Sequence, residues 1–559
     1  MNYHIFMPNF LKNKKLIFLS ILLLFIVIRV PGLDLPYHQD ENKYATSISV
    51  QDNNTAHPPI HKAVSVYTGK IFGRDNFRVT PFLFSIANLL LLFYFVRFKF
   101  GTKAALWAAL LFAVSYFSVL ASLMVDIDGA VLPFFLLLSL IGYYKWCESA
   151  SKKKKYIWGF VLLVSLILGF LTKLSFAIVV GAMILDYLSR FLKSRKMLLK
   201  YAALSGGLLI LLGLVLWQAK AIFPSFNLDR TLSHARDSFH LTGRAYLQIL
   251  IQSVKAIIYS SPLLILPLVF LTKERLNKLR FFAIFIGLGL IFYLIVFDFS
   301  RMALDKYLMF LIVPLSVISG VIISEILGQG GERDAKEGVI LGLAIAAPVF
   351  FSQFLPHFVP PLYPKEEWVS RIINLKWNFV FPFTGGSGPV GFYVSWLFIG
   401  LSWIASSVFA VLALVLKQRR IYFLTAMLIL GFAYNLVFAE EYLFGRINGS
   451  PTFLLKNAID FIQKNDGIKK VISYNDIGGH NISKTGKYQY RFYAVPKNEE
   501  VHRELFASFR GHYLVVDIPH LNPGSFYGKY FSACDVVYND VSGYISGRIY
   551  DCKNTKLPD

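Results

Sequence analysis

The chain is short of cysteine and short of charge. Three cysteines among 559 residues are too few for a disulfide framework. Cys147 stands alone, and Cys534 and Cys552 lie together near the C-terminus. Only 16% of residues are charged against 55% hydrophobic, and the mean hydropathy is +0.54. No soluble fold of this size has an interior large enough for that much apolar surface. Acids are scarcer than bases, 33 against 57, for a formal net charge of +24. This excess does not indicate nucleic-acid binding. The bases cluster in short segments between apolar runs, where the orientation signals of a membrane protein belong. No small-residue cleavage site follows the first apolar run, Leu16 to Val30, so it reads as a retained span. Polar residues at mid-span are also lacking, which argues against a conduction path.

What is present is a series of apolar runs, each long enough to cross a ~30 Å hydrocarbon layer as a helix. They predict an α-helical polytopic membrane protein of about thirteen helices: 15–31, 79–97, 103–121, 129–146, 156–171, 175–189, 200–218, 249–271, 280–297, 304–323, 338–356, 391–416 and 421–439. Lys12, Lys14 and Lys15 precede the first. Arg97, Lys99, Lys103, Lys145 and Lys152 to Lys155 fill the second-to-third and fourth-to-fifth connections. Arg190, Lys193, Arg195, Lys196 and Lys200 follow the sixth. Lys273, Arg275, Lys278 and Arg280 follow the eighth, and Lys417, Arg419 and Arg420 the twelfth. All these connections fall on one side, which the positive-inside rule assigns to the cytoplasm. The N-terminus is then cytoplasmic in a multi-pass protein of the plasma membrane. The opposite, extracytoplasmic face collects Asp40, Glu41, His57, Asp126, Asp128, Lys173, Arg244, Arg301, Asp305 and Lys306. Such a gathering of carboxylates and isolated cations suits an anionic lipid head group.

The adjacent acids Asp40 and Glu41 follow the first span by about ten residues, in RVPGLDLPYHQDENKYA. Adjacent carboxylates beside a bilayer need a function or a solvated setting. The loop 32–78 is too long for a plain connector. It holds two amphipathic stretches, Glu41–Val50 and Ile60–Phe72, suited to the membrane surface. His57-Pro58-Pro59 sets the start of the second. Two readings stand for Asp40: the N-cap of a surface helix with Glu41 as its first-turn acid, or a catalytic acid. Asp126 and Asp128 are either turn residues or a second acidic pair. With Asp40 they offer oxygens to a divalent cation, although no dedicated metal spacing occurs. Lys173 in LGFLTKLSFAIVV is either a snorkelling cation or a point-charge clamp on phosphate. Lys306 and Tyr307, with Arg301 close by, pose the same choice. Such cations would stabilise charge on a departing phosphate. His57 is a substrate donor or a loop histidine. Lys43 belongs with the positioning candidates, and Arg78 anchors the start of the second span.

These pieces, in this order, resemble the GT-C glycosyltransferases of the protein-mannosyltransferase and aminoarabinose-transferase type, which use polyprenyl-phosphate sugars. The segments that carry the resemblance are RVPGLDLPYHQDENKYA, HPPIHK, FRVTPFLFSIANLLLLFYFVRFKFG, MVDIDGAVLPFFLLL, TKLSF and DKYLMFLIVPLSVI, across roughly residues 10–325. The resemblance implies an inverting transfer of one sugar from a polyprenyl-phosphate donor to an acceptor hydroxyl on the outer face, the acceptor being a protein, a lipid or a glycan. It implies Asp40 as general base, with Glu41 in the same catalytic pair. Lys173, Lys306, Tyr307 and Arg301 would hold the donor phosphate. His57, Lys62, Asp126, Asp128, Lys43 and Arg78 would position substrate. No cofactor is certain, and a divalent cation is left open. Position 57 departs from the aminoarabinose transferases, which carry Lys before the two prolines. No long β-trefoil insertion is present, and residues 325–559 match no named pattern. The alternative class is a transporter or flippase of lipid-linked intermediates. A third is an assembly subunit without chemistry.

After Glu440 the composition turns soluble, dividing the chain into a catalytic membrane domain, 1–440, and an extracytoplasmic α/β domain, 441–559. SPTFLLKNAIDFIQKN predicts a helix starting at Ser450-Pro451. KKVISYND, YQYRFYAV and GHYLVVDI predict strands. On an oxidising outer face, Cys534 and Cys552 are expected to pair.

Overall fold

The computed structural model describes residues 13–38, 40–42, 44–45, 57–73, 76–189, 194–224, 226–237, 243–297, 305–329, 331–355, 357–361, 366–383, 391–493, 499–516 and 521–558. The chain folds as a multi-pass membrane protein with a small C-terminal sheet domain. Among the described residues, nine helices are long and apolar enough to cross a membrane, with the bent pair Thr102–Val114 and Tyr116–Leu123 as a tenth. Lys152–Phe170, fronted by four lysines, and the shorter apolar helices Leu174–Leu188 and Arg280–Val296 fill the remaining predicted spans. The helix predicted from 391 starts only at Trp396. Residues Phe392–Ser395 are instead strand β2, paired antiparallel with β1, Val380–Phe383. A further helix, Leu228–Asp237, lies between the predicted spans 200–218 and 249–271.

Two compact units emerge. One comprises residues 1–33, 47–335 and 413–421; the other comprises 34–46, 336–412 and 422–559. The second unit therefore joins the last spans to the C-terminal domain and takes in the short segment that carries Asp40.

In the first unit, the break at Ser115 bends the helix pair by 65° and opens carbonyls that a straight helix would satisfy. Arg29, fully buried, fills the gap. Its guanidinium donates to Ala113 O at 2.9 Å, Phe25 O at 3.1 Å and the hydroxyls of Ser122 and Ser118 at 2.7 and 3.1 Å. A charge at that depth is tolerable only when its donors are met in this way. Arg78 does the same at the far end of Tyr116–Leu123, donating to Leu123 O at 2.6 Å. It too is fully buried. The cation at the start of the second span is thus a buried helix cap rather than an anchor at the interface.

In the second unit, a polar knot ties the last span to the C-terminal domain. The Asn448 amide donates to Gln353 Oε1 at 3.0 Å and Glu441 Oε1 at 2.9 Å, while Gln353 Oε1 also accepts from the Ser395 N–H of β2. The domain begins with the helix Pro451–Lys464, capped by the Ser450 hydroxyl as the sequence anticipates. Its sheet runs β4-β3-β5-β7-β6. β3 (Lys470–Tyr474) lies between the parallel strands β4 (Gln489–Tyr493) and β5 (Tyr513–Val516). β7 (Ile545–Asp551) pairs antiparallel with β5, and β6 (Asp535–Ser542) with β7. Cys534 and Cys552 form a disulfide beside these last two strands.

Candidate functional site

The turn after Leu123 builds the first half of the site. The Asp126 Oδ1 folds back onto the N–H groups of Ile127 and Asp128, at 2.5 and 3.4 Å, as acids do in tight turns. Gly129 is required here, because a Cβ would lie 2.6 Å from Ala121 O. The fold-back leaves Asp126 Oδ2 to accept from Lys306 Nζ at 3.0 Å. Two residues on, Asp128 Oδ2 accepts from Lys173 Nζ at 2.5 Å. Lys173 sits in extended backbone where Lys152–Phe170 ends, its N–H donating to Gly169 O. Both ammonium groups lie over the Tyr307 ring, at 4.3 Å for Lys173 and 5.2 Å for Lys306. Four charges and one aromatic ring thus form a compact buried cluster.

The electrostatics follow from that packing. Burial opposes ionisation of Asp126, yet Lys306 and Lys173 outweigh it and hold the carboxyl below its usual range. Burial likewise opposes the Lys173 charge, and Asp128 with Tyr307 overcomes it, so the ammonium is held more firmly than in water. His61, on the surface helix Ile60–Phe72, is pushed down to about 4 by burial, with Asp126 pulling up and Lys173 pushing down. It is a neutral imidazole at ordinary pH.

The surface helix is fixed to this cluster by its first residue. Pro58 and Pro59 set the entry, and the orphan Ile60 N–H donates to Leu171 O at 3.2 Å, two residues before Lys173. Beside it opens a cavity of about 550 Å³. Its walls are chiefly apolar, from Ile178, Leu288, Ile291 and Phe292 among others, and its polar groups include Lys173, Tyr307, His57 and His234. The His57 and His234 rings meet edge to face with centroids 5.5 Å apart. Arg244 supports the wall by donating to the carbonyls of Leu294, Ile295 and Phe297.

The structure therefore brings together Asp126, Asp128, Lys173, Lys306 and Tyr307, with His57 on the shared cavity and His61 against the cluster. Lys306 is engaged by Asp126. Lys62 is half-buried on the same helix as His61. Lys43 and Arg301 lie outside the described residues. Among the described residues no three His, Cys, Asp or Glu side chains converge to hold a metal. The carboxylates of Asp126 and Asp128 turn to lysines instead, so the oxygens proposed for a divalent cation do not form a vacant donor set.

Asp40 and Glu41 belong to the second unit. Residues 40–42 and 44–45 are helical. Glu41, fully buried, closes a local cap. Its carboxylate accepts from the His38 N–H at 3.3 Å and its own N–H donates to His38 O at 3.0 Å. Asp40 is already inside the helix and so is not its N-cap. Sequence reasoning passed over Arg29 and His234. Arg29 had a signal, a lone cation in an apolar span; His234 had none, since its meaning depends on where its helix lies.

The matches to known proteins agree with this architecture. Residues 56–217 match the family model of dolichyl-phosphate-mannose-protein mannosyltransferases. The structure is similar to ArnT from Cupriavidus metallidurans bound to undecaprenyl phosphate. The identity is 14% and the TM-score 0.55, over 96% of this chain and 97% of that one. The fold is of the GT-C type. The apo form of ArnT from the same organism matches equally well, at 14% identity and a TM-score of 0.54 over 98% of this chain and 99% of that one. No curated protein sequence matches. The similarity of fold covers nearly all of the chain, including residues after 325, which match no named family pattern in sequence.

Proposed function

We propose that this protein is a membrane glycosyltransferase that moves one sugar from a polyprenyl-phosphate donor to an acceptor hydroxyl on the outer face, with inversion. The cavity is the observation that carries this reading. An apolar pocket of about 550 Å³ whose polar groups include a firmly charged lysine and a tyrosine suits an isoprenoid segment with an anionic head. The undecaprenyl phosphate bound by ArnT is a ligand of that chemistry.

Lys173 and Tyr307 hold the phosphate. Lys306 acts through Asp126, keeping the turn and Asp128 in place. Asp40, carried over from the family resemblance, is the general base. It takes the proton of the acceptor hydroxyl as that oxygen attacks the anomeric carbon. The bond from that carbon to the phosphate oxygen breaks with its electron pair staying on the phosphate. The Lys173 charge stabilises the released lipid phosphate, and a phosphate leaves readily enough to need no strong general acid. His57 and Lys62 orient the substrate. The division into a catalytic domain, 1–440, and an extracytoplasmic domain, 441–559, is retained as the functional one. The disulfide is in keeping with an oxidising outer compartment, with the N-terminus cytoplasmic and the span array in the plasma membrane.

The test is release of undecaprenyl phosphate from undecaprenyl-phosphate sugars by purified protein. Asp40→Asn is expected to lower turnover roughly 10²- to 10⁴-fold while leaving undecaprenyl phosphate binding intact. Undiminished release by that variant removes Asp40 from the mechanism.

A further inference from the structure

The C-terminal sheet has a switch point. β4 and β5 flank β3 on opposite sides, and in such sheets the carboxyl end of the first strand is where ligands and chemistry gather. The turn leaving β3 there is unusual. Asn475 and Asp476 both adopt positive φ, 54° and 60°, followed by Gly478 at 69°. Two successive non-glycine residues in that region are strained, and such strain persists only when surrounding contacts over-determine it. Those contacts are present. The Tyr490 hydroxyl of β4 donates to Asp476 Oδ1 at 2.6 Å and also meets the Ser473 hydroxyl of β3 at 2.5 Å. Gly479 has no room for a side chain, since a Cβ would fall 2.1 Å from Asp476 Oδ1.

This turn grips the segment that bears Asp40. The Asn42 amide bridges it with both ends, donating to Asp476 O and accepting from the His480 N–H at 3.1 Å. Tyr37 sets its ring edge-on to His480 with centroids 5.3 Å apart. Asn42 lies two residues beyond Asp40 on the same helical turn. The Asp40 carboxylate acts electrostatically on Asp476, whose own carboxyl is pushed up to about 6, first by burial, against the Tyr490 and Asn42 hydrogen bonds. Among the described residues, Asp40 from the N-terminal segment and Tyr490 from β4 are the titratable groups that act on Asp476.

We infer that the turn after β3 positions Asp40: it fixes the helical turn that carries Asp40 through the two hydrogen bonds of the Asn42 amide. This rests on the reading of Asp40 as the base, and it gives the C-terminal domain a part in catalysis.

The experiment follows Asp40 itself, in the purified full-length protein. Carbodiimide labelling of the Asp40 peptide at fixed pH, read by mass spectrometry, reports how the carboxyl is held whatever the sugar donor is. Asn42→Ala, which removes both hydrogen bonds to the turn, is expected to change the labelling rate severalfold and, with an active donor, to lower kcat more than it changes KM. An Asp40 labelling rate unchanged in Asn42→Ala, with the melting temperature retained, overturns the inference. If Asp40→Asn is inactive in that case, the assignment of the base still stands. If the rate changes but Asp40→Asn is fully active, the positioning is real and the assignment of the base is what fails.

Discussion

The two acidic centres of this molecule are built on opposite principles. In the membrane unit, Asp126 and Asp128 are each met by a lysine and the whole is roofed by Tyr307. In the C-terminal region, Asp476 is met by a phenol and an amide, with another carboxylate acting on it. The lysines hold Asp126 below its usual range, while burial raises Asp128 above its own against the pull of Lys173. The Asp476 carboxyl is instead pushed up to about 6, first by burial and against the Tyr490 and Asn42 hydrogen bonds. Charge compensation is therefore what distinguishes the two centres.

Breaking the first centre should cost the most. Lys173→Met leaves Asp128 buried without its cation, and removal of one partner of a buried pair costs ~3–5 kcal/mol. The variant is expected to melt earlier and to lose undecaprenyl phosphate binding in a titration. Adding Asp128→Asn should recover most of the stability and none of the binding. Full recovery of binding in the double variant would show that Lys173 serves only its neighbour. Next in size is the disulfide. Cys534→Ser opens a loop with a sequence separation of 18, and loops near that length contribute ~3 kcal/mol. Thermal melting under reducing and oxidising conditions should show that loss in the C-terminal domain and leave ligand binding at Lys173 unchanged.

The pH response sharpens the contrast further. His61 has its folded pKa depressed to about 4, so stability in the membrane unit declines as pH falls from ~6.5 toward that value. It declines again below the usual carboxylate range, as Asp126 protonates and loses Lys306. Asp476 has its folded pKa raised to about 6, so the C-terminal region gains stability as pH falls from about 6 to ~4. Hydrogen exchange around Asp476 at pH 7 and pH 5 should therefore show a local gain at the lower pH that Asp476→Asn removes, set against the loss from His512, whose pKa burial depresses. The smallest expected effect is at the cavity wall. His234→Ala should weaken undecaprenyl phosphate binding only a few-fold, since the firm charge belongs to Lys173.

Much of this was legible in the residues. The thirteen apolar stretches announced themselves by length, and Ile60–Phe72 and Pro451–Lys464 by amphipathic period and start signals. The three predicted strands are β3, β4 and β5. The C-terminal pair β6 and β7 was missed, because residues such as Asp535, Asn539 and Asp540 dilute the alternation. The start of the twelfth span was misplaced because FYVSW is as apolar as the helix it precedes. Hydropathy alone cannot distinguish a buried strand from a helix. For the candidate site, Asp126, Asp128, Lys173, Lys306 and Tyr307 were named individually. Their pairing was not, since Lys306 reaches Asp126 across 180 positions of sequence. Asp476 was passed over entirely, because an aspartate before Ile-Gly-Gly looks like any turn.

Sequence by itself determined what must enter the membrane and which residues were too costly to stand there without a partner. Burial energies are local properties of a side chain, and they are readable one residue at a time. Only the tertiary structure decided which lysine answers which aspartate, that Arg78 is a cap and that Glu41 closes a helix. Only it showed that Asn42 clasps a turn more than 400 positions away. Partnership depends on direction and distance in space, and no linear pattern encodes either.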